Sequence, residues 1–221
     1  MSDRASDYDA CYRGWRERGM LGWGGSGAGG RRDGWRAKLE SLRHAGLLPP
    51  PPVDWLELGC GTGFASRWAA ERGYRVAGVD ISREAIAWAT DEFAVARLRG
   101  DFRAADVGCG LPFGDAAFNL VVDGNCLHCL IGDARGRCLA EVRRLLRAHG
   151  RFVVSSMCGE PKYAEDRALF QAGALHRNGS PWRTLKPAPE IEREIIDGGF
   201  SILSRAVRVG EQFDHLTLVA A

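Results

Sequence analysis

The sequence predicts an α/β fold: seven short strands in a mostly parallel sheet with helices on both faces, preceded by an N-terminal extension. Three observations carry that prediction. From Val53 onward, apolar runs of strand length alternate with segments of helical periodicity, and strands joined through helices lie parallel. A glycine turn, Gly59 to Gly63, separates the first strand from the first helix of this alternation. Four consecutive prolines, Pro49 to Pro52, cannot continue a helix and favour an extended spacer, which divides an extension at 1–52 from a main domain at 53–221.

The extension is rich in aromatics and glycine, with Tyr8, Tyr12, Trp15, Trp23 and the stretch Gly22 to Gly30. Its spacing predicts one helix through Trp35, Leu39 and Leu42. Val53 to Leu58 then reads as a buried strand, and Phe64 to Arg72 as a helix with Phe64, Ala65, Trp68 and Ala69 on one face, closed by Gly73. Tyr74 to Val79 is a strand ending in Asp80, and Ser82 caps a helix that turns Ala85, Ile86, Ala89 and Phe93 to one side. Phe102 to Val107 and Asn119 to Asp123 are the third and fourth strands. Asp133 starts a helix with Cys138, Val142, Leu145 and Leu146 inward that runs to Gly150, and Phe152 to Met157 follows as the fifth strand. Residues 158–187 show no periodicity and read as an insertion facing a substrate. A helix over Ile191 to Ile196 precedes two closing strands, Phe200 to Val209 and Gln212 to Val219.

Composition narrows the function classes. A chain of 221 residues with 45% hydrophobic and 26% charged residues can bury a core without disulfides. The formal charge is +2; residues 1–52 hold nine Lys and Arg against six Asp and Glu, the remainder twenty-one against twenty-two, too weak a bias to argue for nucleic acid. No run approaches the roughly 18 apolar residues of a membrane span, and the N-terminus lacks the apolar core of a signal peptide, so a cytoplasmic location is expected. The seven cysteines, an odd number lying mostly in apolar stretches, read as reduced thiols.

The most informative segment is Glu57-Leu58-Gly59-Cys60-Gly61-Thr62-Gly63, between a strand and a helix. Its glycines allow a sharp turn and leave no side chain between backbone and ligand. It departs from the dinucleotide fingerprint G-x-G-x-x-G, because Ser66 stands at the third glycine, and this argues against NAD. The segment resembles instead the first motif of class I S-adenosylmethionine-dependent methyltransferases, Glu-x-Gly-x-Gly-x-Gly. Further matches follow in order: Asp80 with Ile81, Asp106-Val107, Leu111-Pro112-Phe113, Phe118 to Val122, Leu127-His128-Cys129-Leu130, and Arg144-Leu145-Leu146 through Gly150, with His149 in place of a glycine.

That resemblance implies a Rossmann-like sheet whose last strand is antiparallel, S-adenosyl-L-methionine as cofactor and S-adenosyl-L-homocysteine as product. It implies that Glu57, Gly59, Cys60, Gly61 and Gly63 form the cofactor loop, that Asp80 accepts the ribose hydroxyls, and that Ile81, Asp106 and Val107 meet the adenine. Asp123, Gly124 and Asn125 stand where family members touch the methionine moiety or the nucleophile. Residues 12–25 are loosely similar to the Trp-containing N-terminus of thiopurine and thiol methyltransferases, with Trp23 over the sulfonium in a cofactor and substrate cap. The implied reaction is transfer of methyl to a small molecule by in-line displacement, by a monomer or homodimer that needs neither nucleic acid nor membrane. The other reading is a protein of the same fold that binds the cofactor without transferring methyl, pericyclase-like or regulatory.

Two features stand apart. Cys126-Leu127-His128-Cys129, with Cys158 as a distant addition, invites a metal or thiophilic-ligand reading, but one C-x-x-C supplies two ligands and no second pair is spaced to complete a site, so no metal is expected. His128, just past the fourth strand, reads either as a general base beside the transferred methyl or as a structural residue, and Asp123 as its catalytic companion.

Overall fold

The computed structural model describes residues 3–221. Its seven-stranded sheet has the order β3-β2-β1-β4-β5-β10-β9, with β1 Asp54–Leu58, β2 Arg75–Asp80, β3 Gly100–Ala104, β4 Phe118–Asp123, β5 Leu146–Cys158, β9 Ile202–Arg208 and β10 Asp214–Ala220. β1 runs parallel to β2 and β4, while β10 is antiparallel to both β5 and β9, so the last strand is the reversed one. Strand order reverses between β1 and β4, and a crevice therefore opens at their carboxyl ends.

Alternation along the strands sorts the core into two layers. Leu56, Leu58 and Val121 face one buried cluster; Trp55, Leu120 and Val122 face the other. Helices α3 Phe64–Ala70 and α4 Arg83–Val95 follow β1 and β2, and Ser82 caps α4 by accepting from Ala85 N at 3.1 Å. Helices α5 Ala134–Leu145 and α7 Ala188–Asp197 seal the face under β4, β5 and β10. Among the described residues no helix is long and apolar enough to cross a membrane.

The structure corrects the sequence reading at four places. The third strand is Gly100–Ala104, so Asp106 and Val107 lie past its end in a turn closed by Gly108 N donating to Asp106 Oδ1 at 2.9 Å. The helix expected to reach Gly150 stops at Leu145: Leu146 is already extended, at ψ 135°, and pairs with Phe118. The register then slips before Arg151, and His149 takes φ 63° where a glycine would be unstrained. The extension opens with a second helix, α1 Asp3–Glu17, beside the expected one, α2 Ala28–His44. Finally, 158–187 is structured: a short helix α6 Ala164–Ala168 leads into a small antiparallel sheet of β6 Phe170–Gln171, β7 Ala174–Arg177 and β8 Ser180–Thr184. These strands are too short to show a period.

Two long-range anchors set the extension over the crevice. Asp9 accepts from Ser82 Oγ at 2.6 Å and from Glu84 N at 3.2 Å, which ties α1 to the start of α4. Arg4 donates to Trp182 O at 3.0 Å and Arg183 to Tyr8 Oη at 2.9 Å, which tie α1 to β8. Between them Tyr8 stacks on Trp182 with centroids 5.4 Å apart, and Trp15 meets Trp23 edge-on at 4.7 Å.

Candidate cofactor and acceptor cleft

Under the extension lies a cleft of about 1200 Å³. One end is walled by the β1–α3 loop. Gly59 and Gly61 sit at φ 65° and 53°, conformations open to glycine, and a Cβ on Gly59 would come within 2.7 Å of Cys126 Cβ. The carboxylates behind this loop organise it. Glu57 Oε2 accepts from Ser66 N at 2.8 Å and Ser66 Oγ at 2.6 Å, and burial pushes its carboxyl up to about 8. Asp80 accepts from Gly61 N and Ser82 N, both at 2.9 Å, and burial raises it to about 6. Ser66, which breaks the dinucleotide pattern, is thus the partner Glu57 requires.

Of the residues singled out in the sequence, Trp23, Glu57, Gly59, Cys60, Gly61, Asp80, Ile81, Asp106, Val107, Gly124, Asn125 and His128 line this cleft. Gly63 and Asp123 do not. Gly63, at φ 74°, faces Ala89, Phe93 and Phe102, where a Cβ would meet each at 3.3 to 3.4 Å. It shapes the loop from behind. Asp123 is buried, and its carboxylate accepts from Cys126 N at 2.6 Å, Leu127 N at 3.0 Å and Ser155 N at 3.3 Å. Those bonds fix the turn that carries His128. A carboxylate so engaged orders the backbone of that turn.

His128 rides on the turn Leu127–Cys129, which Arg135 also holds by donating to Leu127 O at 2.7 Å while its fork binds Glu194. Met157 N donates to His128 Nδ1 at 3.4 Å, an arrangement that assigns the proton to Nε2. Burial, aided by Arg183, His215 and Arg135, pushes the ring's pKa well below its ordinary value. This imidazole is neutral and weakly basic, and it presents a donor to the cleft.

The other end of the cleft holds Arg183, from the insertion read as facing a substrate, and residues that sequence reasoning missed: Lys38, Met157, Arg208, Phe213 and His215. Lys38 Nζ lies 2.7 Å from Ser155 Oγ and 4.5 Å from the centre of the Trp35 ring. Asn125, with its amide oxygen toward Trp35 Nε1 at 2.9 Å, donates to the same Ser155 Oγ at 2.8 Å. Burial pulls Lys38 down to about 8 and, with Arg208 and Lys38 beside it, His215 to about 4. A signal for Lys38 was present: it lies three residues after Trp35 and four before Leu42, on the apolar stripe of its helix. Arg208 and His215 carry no such sign. Cys126 and Cys129 line the cleft whereas Cys158 is packed in the core, and among the described residues no group of three or more His, Cys, Asp or Glu side chains is arranged to hold a metal.

The residues present suit the cofactor expected from the motif. Asp80 retains free lone pairs at the loop end, Ile81 and Val107 offer apolar walls, and the half-buried Trp23 ring faces the cleft. Comparison with known proteins agrees. The family model described as "Methyltransferase domain" matches residues 56–154. The 18S rRNA (guanine-N(7))-methyltransferase bud23 of Schizosaccharomyces pombe is 29% identical over 108 residues, 49% of this chain and 39% of that protein. The malonyl-[acyl-carrier protein] O-methyltransferase of Pectobacterium atrosepticum is 31% identical over 108 residues, 48% of this chain and 37% of that one. The match therefore spans about two fifths of the length of these relatives. Among solved structures, the 1,6-didemethyltoxoflavin-N1-methyltransferase of Burkholderia thailandensis, bound to 1,6-didemethyltoxoflavin and S-adenosylhomocysteine, superposes with a TM-score of 0.70 at 24% identity, over 98% of this chain and 85% of that one.

Proposed function

The chain carries a class I S-adenosylmethionine-dependent methyltransferase domain, and on that premise we propose that it transfers a methyl group from S-adenosylmethionine to a small-molecule acceptor by in-line displacement. The observation that carries the small-acceptor reading is the enclosure of the cleft. Tyr8 and Arg183 join the extension to β8 across it, and about 1200 Å³ has to accommodate cofactor and acceptor together, close to the volumes of small-molecule sites. The relatives named above act on an rRNA, on a carrier-protein thioester acid and on a small heterocycle, so the acceptor class does not follow from likeness.

When bound, S-adenosylmethionine supplies an electrophilic methyl on a sulfonium, which leaves the protein to bind, align and exclude water. Asp80 is the acceptor for the ribose hydroxyls, and Ile81 with Val107 packs the adenine. The ring faces of Tyr12 and Trp23 favour the positive sulfur. The extension closes over the crevice, and alignment of this kind lowers a barrier by several kcal/mol without an acid–base pair.

Calorimetric titration with S-adenosylhomocysteine, with NADH as control, tests the cofactor assignment. Micromolar affinity for the former alone is expected; a folded, ligand-free protein that ignores it ends the proposal. Release of S-adenosylhomocysteine with a small acceptor then separates transfer from a binding-only protein, which would bind the cofactor and turn over no acceptor.

A further inference from the structure

The acceptor end of the cleft combines surplus positive charge with a shortage of working bases. The guanidinium of Arg183, 8% exposed, commits Nη1 to Tyr8 Oη and Trp182 O, and among the described residues Nε and Nη2 have no protein acceptor. It lies against aromatic faces, 4.5 Å from the Trp182 ring centre and 5.9 Å from that of Trp23, and meets no carboxylate. Lys38 has Ser155 Oγ and the Trp35 ring as neighbours, again without a carboxylate in ion-pair contact. Arg208 adds a third cation at the rim, directly opposite His215 in the β9–β10 register. The nearby acids are committed elsewhere: Asp214 to Lys162, Glu194 to Arg135, and Asp123 to backbone amides. A buried cation without a counter-charge costs several kcal/mol in general. The Tyr8 and Trp182 acceptors and the aromatic faces offset part of that cost for Arg183, and among the described residues no carboxylate supplies the counter-charge.

The titratable groups that could take a proton from an acceptor are disabled. His128 Nδ1 already accepts from Met157 N, His215 is held down by Lys38 and Arg208, and Glu57 and Asp80 hold the glycine loop. A neutral alcohol or phenol would reach the methyl with a proton that no imidazole or carboxylate at this end is placed to take, and Lys38, pulled down to about 8, still holds its own proton at neutral pH. An ammonium acceptor would meet like charge as well.

We propose that the acceptor is an oxyanion, a small aromatic carboxylate, whose charge is matched by Arg183 and Lys38. The inference rests on the methyltransferase reading above and deepens it. An oxyanion forms the new O–C bond as the C–S bond breaks with its electron pair going to sulfur; the negative acceptor and positive sulfonium both become neutral, and no proton has to move. The guanidinium edge, a planar fork of N–H donors, fits a carboxylate better than it fits a thiolate. Tyr8, Trp35 and Phe213 along the same cleft favour a flat apolar body behind the charged group.

The test uses the full chain saturated with S-adenosylhomocysteine. Benzoate, 2-naphthoate and salicylate are titrated by calorimetry against benzamide, 2-naphthamide and salicylamide, which keep the shape and lose the charge. The acids should bind at least about tenfold more tightly than their amides, and Lys38→Met should remove most of that preference while S-adenosylhomocysteine affinity stays within about threefold; Arg183→Met, which also loses the tie to Tyr8, should remove most of it as read by acid against amide within the same loaded variant. Equal binding of acid and amide, absence of acid binding to the loaded protein, or a preference that survives both substitutions overturns the inference. Because acid and amide are compared in the unmodified chain, the result stands even where a variant folds poorly. Failure to load with S-adenosylhomocysteine would strike the methyltransferase reading itself, and it is seen in the first titration, before any acid is added.

Discussion

At one end of the cleft, residues 57–80 supply a glycine loop and two buried carboxylates from a single β–α–β unit; at the other, Lys38, Met157, Arg183 and His215 come from four distant parts of the chain. The first end carries the charge of Asp80 and is built from backbone and short side chains. The second is positive and is built from long ones. Glu57 and Asp80 are held above their ordinary values by burial, whereas Lys38 and His215 are held below theirs. Burial opposes charge at both ends, and the charges that survive it have opposite signs. A cofactor that is cationic at sulfur and an acceptor that is anionic would each relieve the end it enters, so the polarity of the cleft sets the direction in which the two reactants are ordered.

The sharpest test of that contrast is the protonation of Glu57 at the first end. With its folded-state value raised to about 8, Glu57 binds a proton in the native protein that the unfolded chain, near its ordinary 4.5, releases. Its favourable contribution is complete below about pH 4.5 and is lost as pH rises to about 8, at up to about 1.4 kcal/mol per pH unit. Glu57→Gln keeps an oxygen for Ser66 and has nothing to ionise. Urea unfolding at pH 5.5, 6.5, 7.5 and 8.5 should show the variant gaining on the parent by about 2 to 4 kcal/mol across the series. A constant gap would mean that Glu57 is ionised in the folded protein and that the first end is fully charged.

A smaller effect is expected from Asp80→Ala. Loss of the ribose partner should weaken S-adenosylhomocysteine at least about tenfold, about 1.4 kcal/mol. Ribose hydroxyls donate to a carboxylate, so affinity in the parent should also decline as pH falls through about 6, the value to which burial lifts Asp80, and the variant should lose that dependence. Unchanged affinity in calorimetry would remove Asp80 from the cofactor end. A matching loss in Lys38→Met would erase the distinction between the two ends.

What was legible in the sequence follows the same division. Strands β1, β2 and β4, the glycine loop, Ser82 as a cap and the acid closing β2 were readable because each is specified by neighbours within one β–α unit. Asp106 and Val107 line the cleft although the strand assigned to them ends at Ala104, because the motif fixes a position and not a hydrogen-bond ladder. The acceptor end was not readable. The Lys38–Ser155 contact spans 117 residues and the Arg183–Tyr8 contact 175, and no local pattern encodes either. Helix α1 left a trace in the sequence, since Ala5, Tyr8, Tyr12 and Trp15 recur at helical spacing; Tyr8, Tyr12 and Trp15 pack against Trp23, and Tyr8 also stacks on Trp182 of β8. Asp123 was placed beside the chemistry and sits one layer beneath it, since a carboxylate at a strand end can serve a ligand or the next turn's amides and only the fold decides.

His128 stands where the two ends meet, and its titration tests the boundary with the smallest effect. Burial and the flanking cations keep its ring neutral, so its folded-state value lies below the ordinary 6.5. The sign is opposite to that of Glu57: the contribution is present above about pH 6.5 and is lost as pH falls below it, because the unfolded chain takes the proton first. His128→Asn retains an acceptor for Met157 N and cannot protonate, so the variant should gain on the parent by no more than about 1 kcal/mol between pH 7.5 and 6. The imidazole resonance lost in His128→Asn should in the parent keep a constant shift from pH 8 to 5.5. A resonance that titrates near 6.5 would restore His128 as a base, and a neutral acceptor would then have a group to take its proton. A flat one leaves the positive end with no base of its own at that turn, which is the condition under which an acceptor has to arrive already charged.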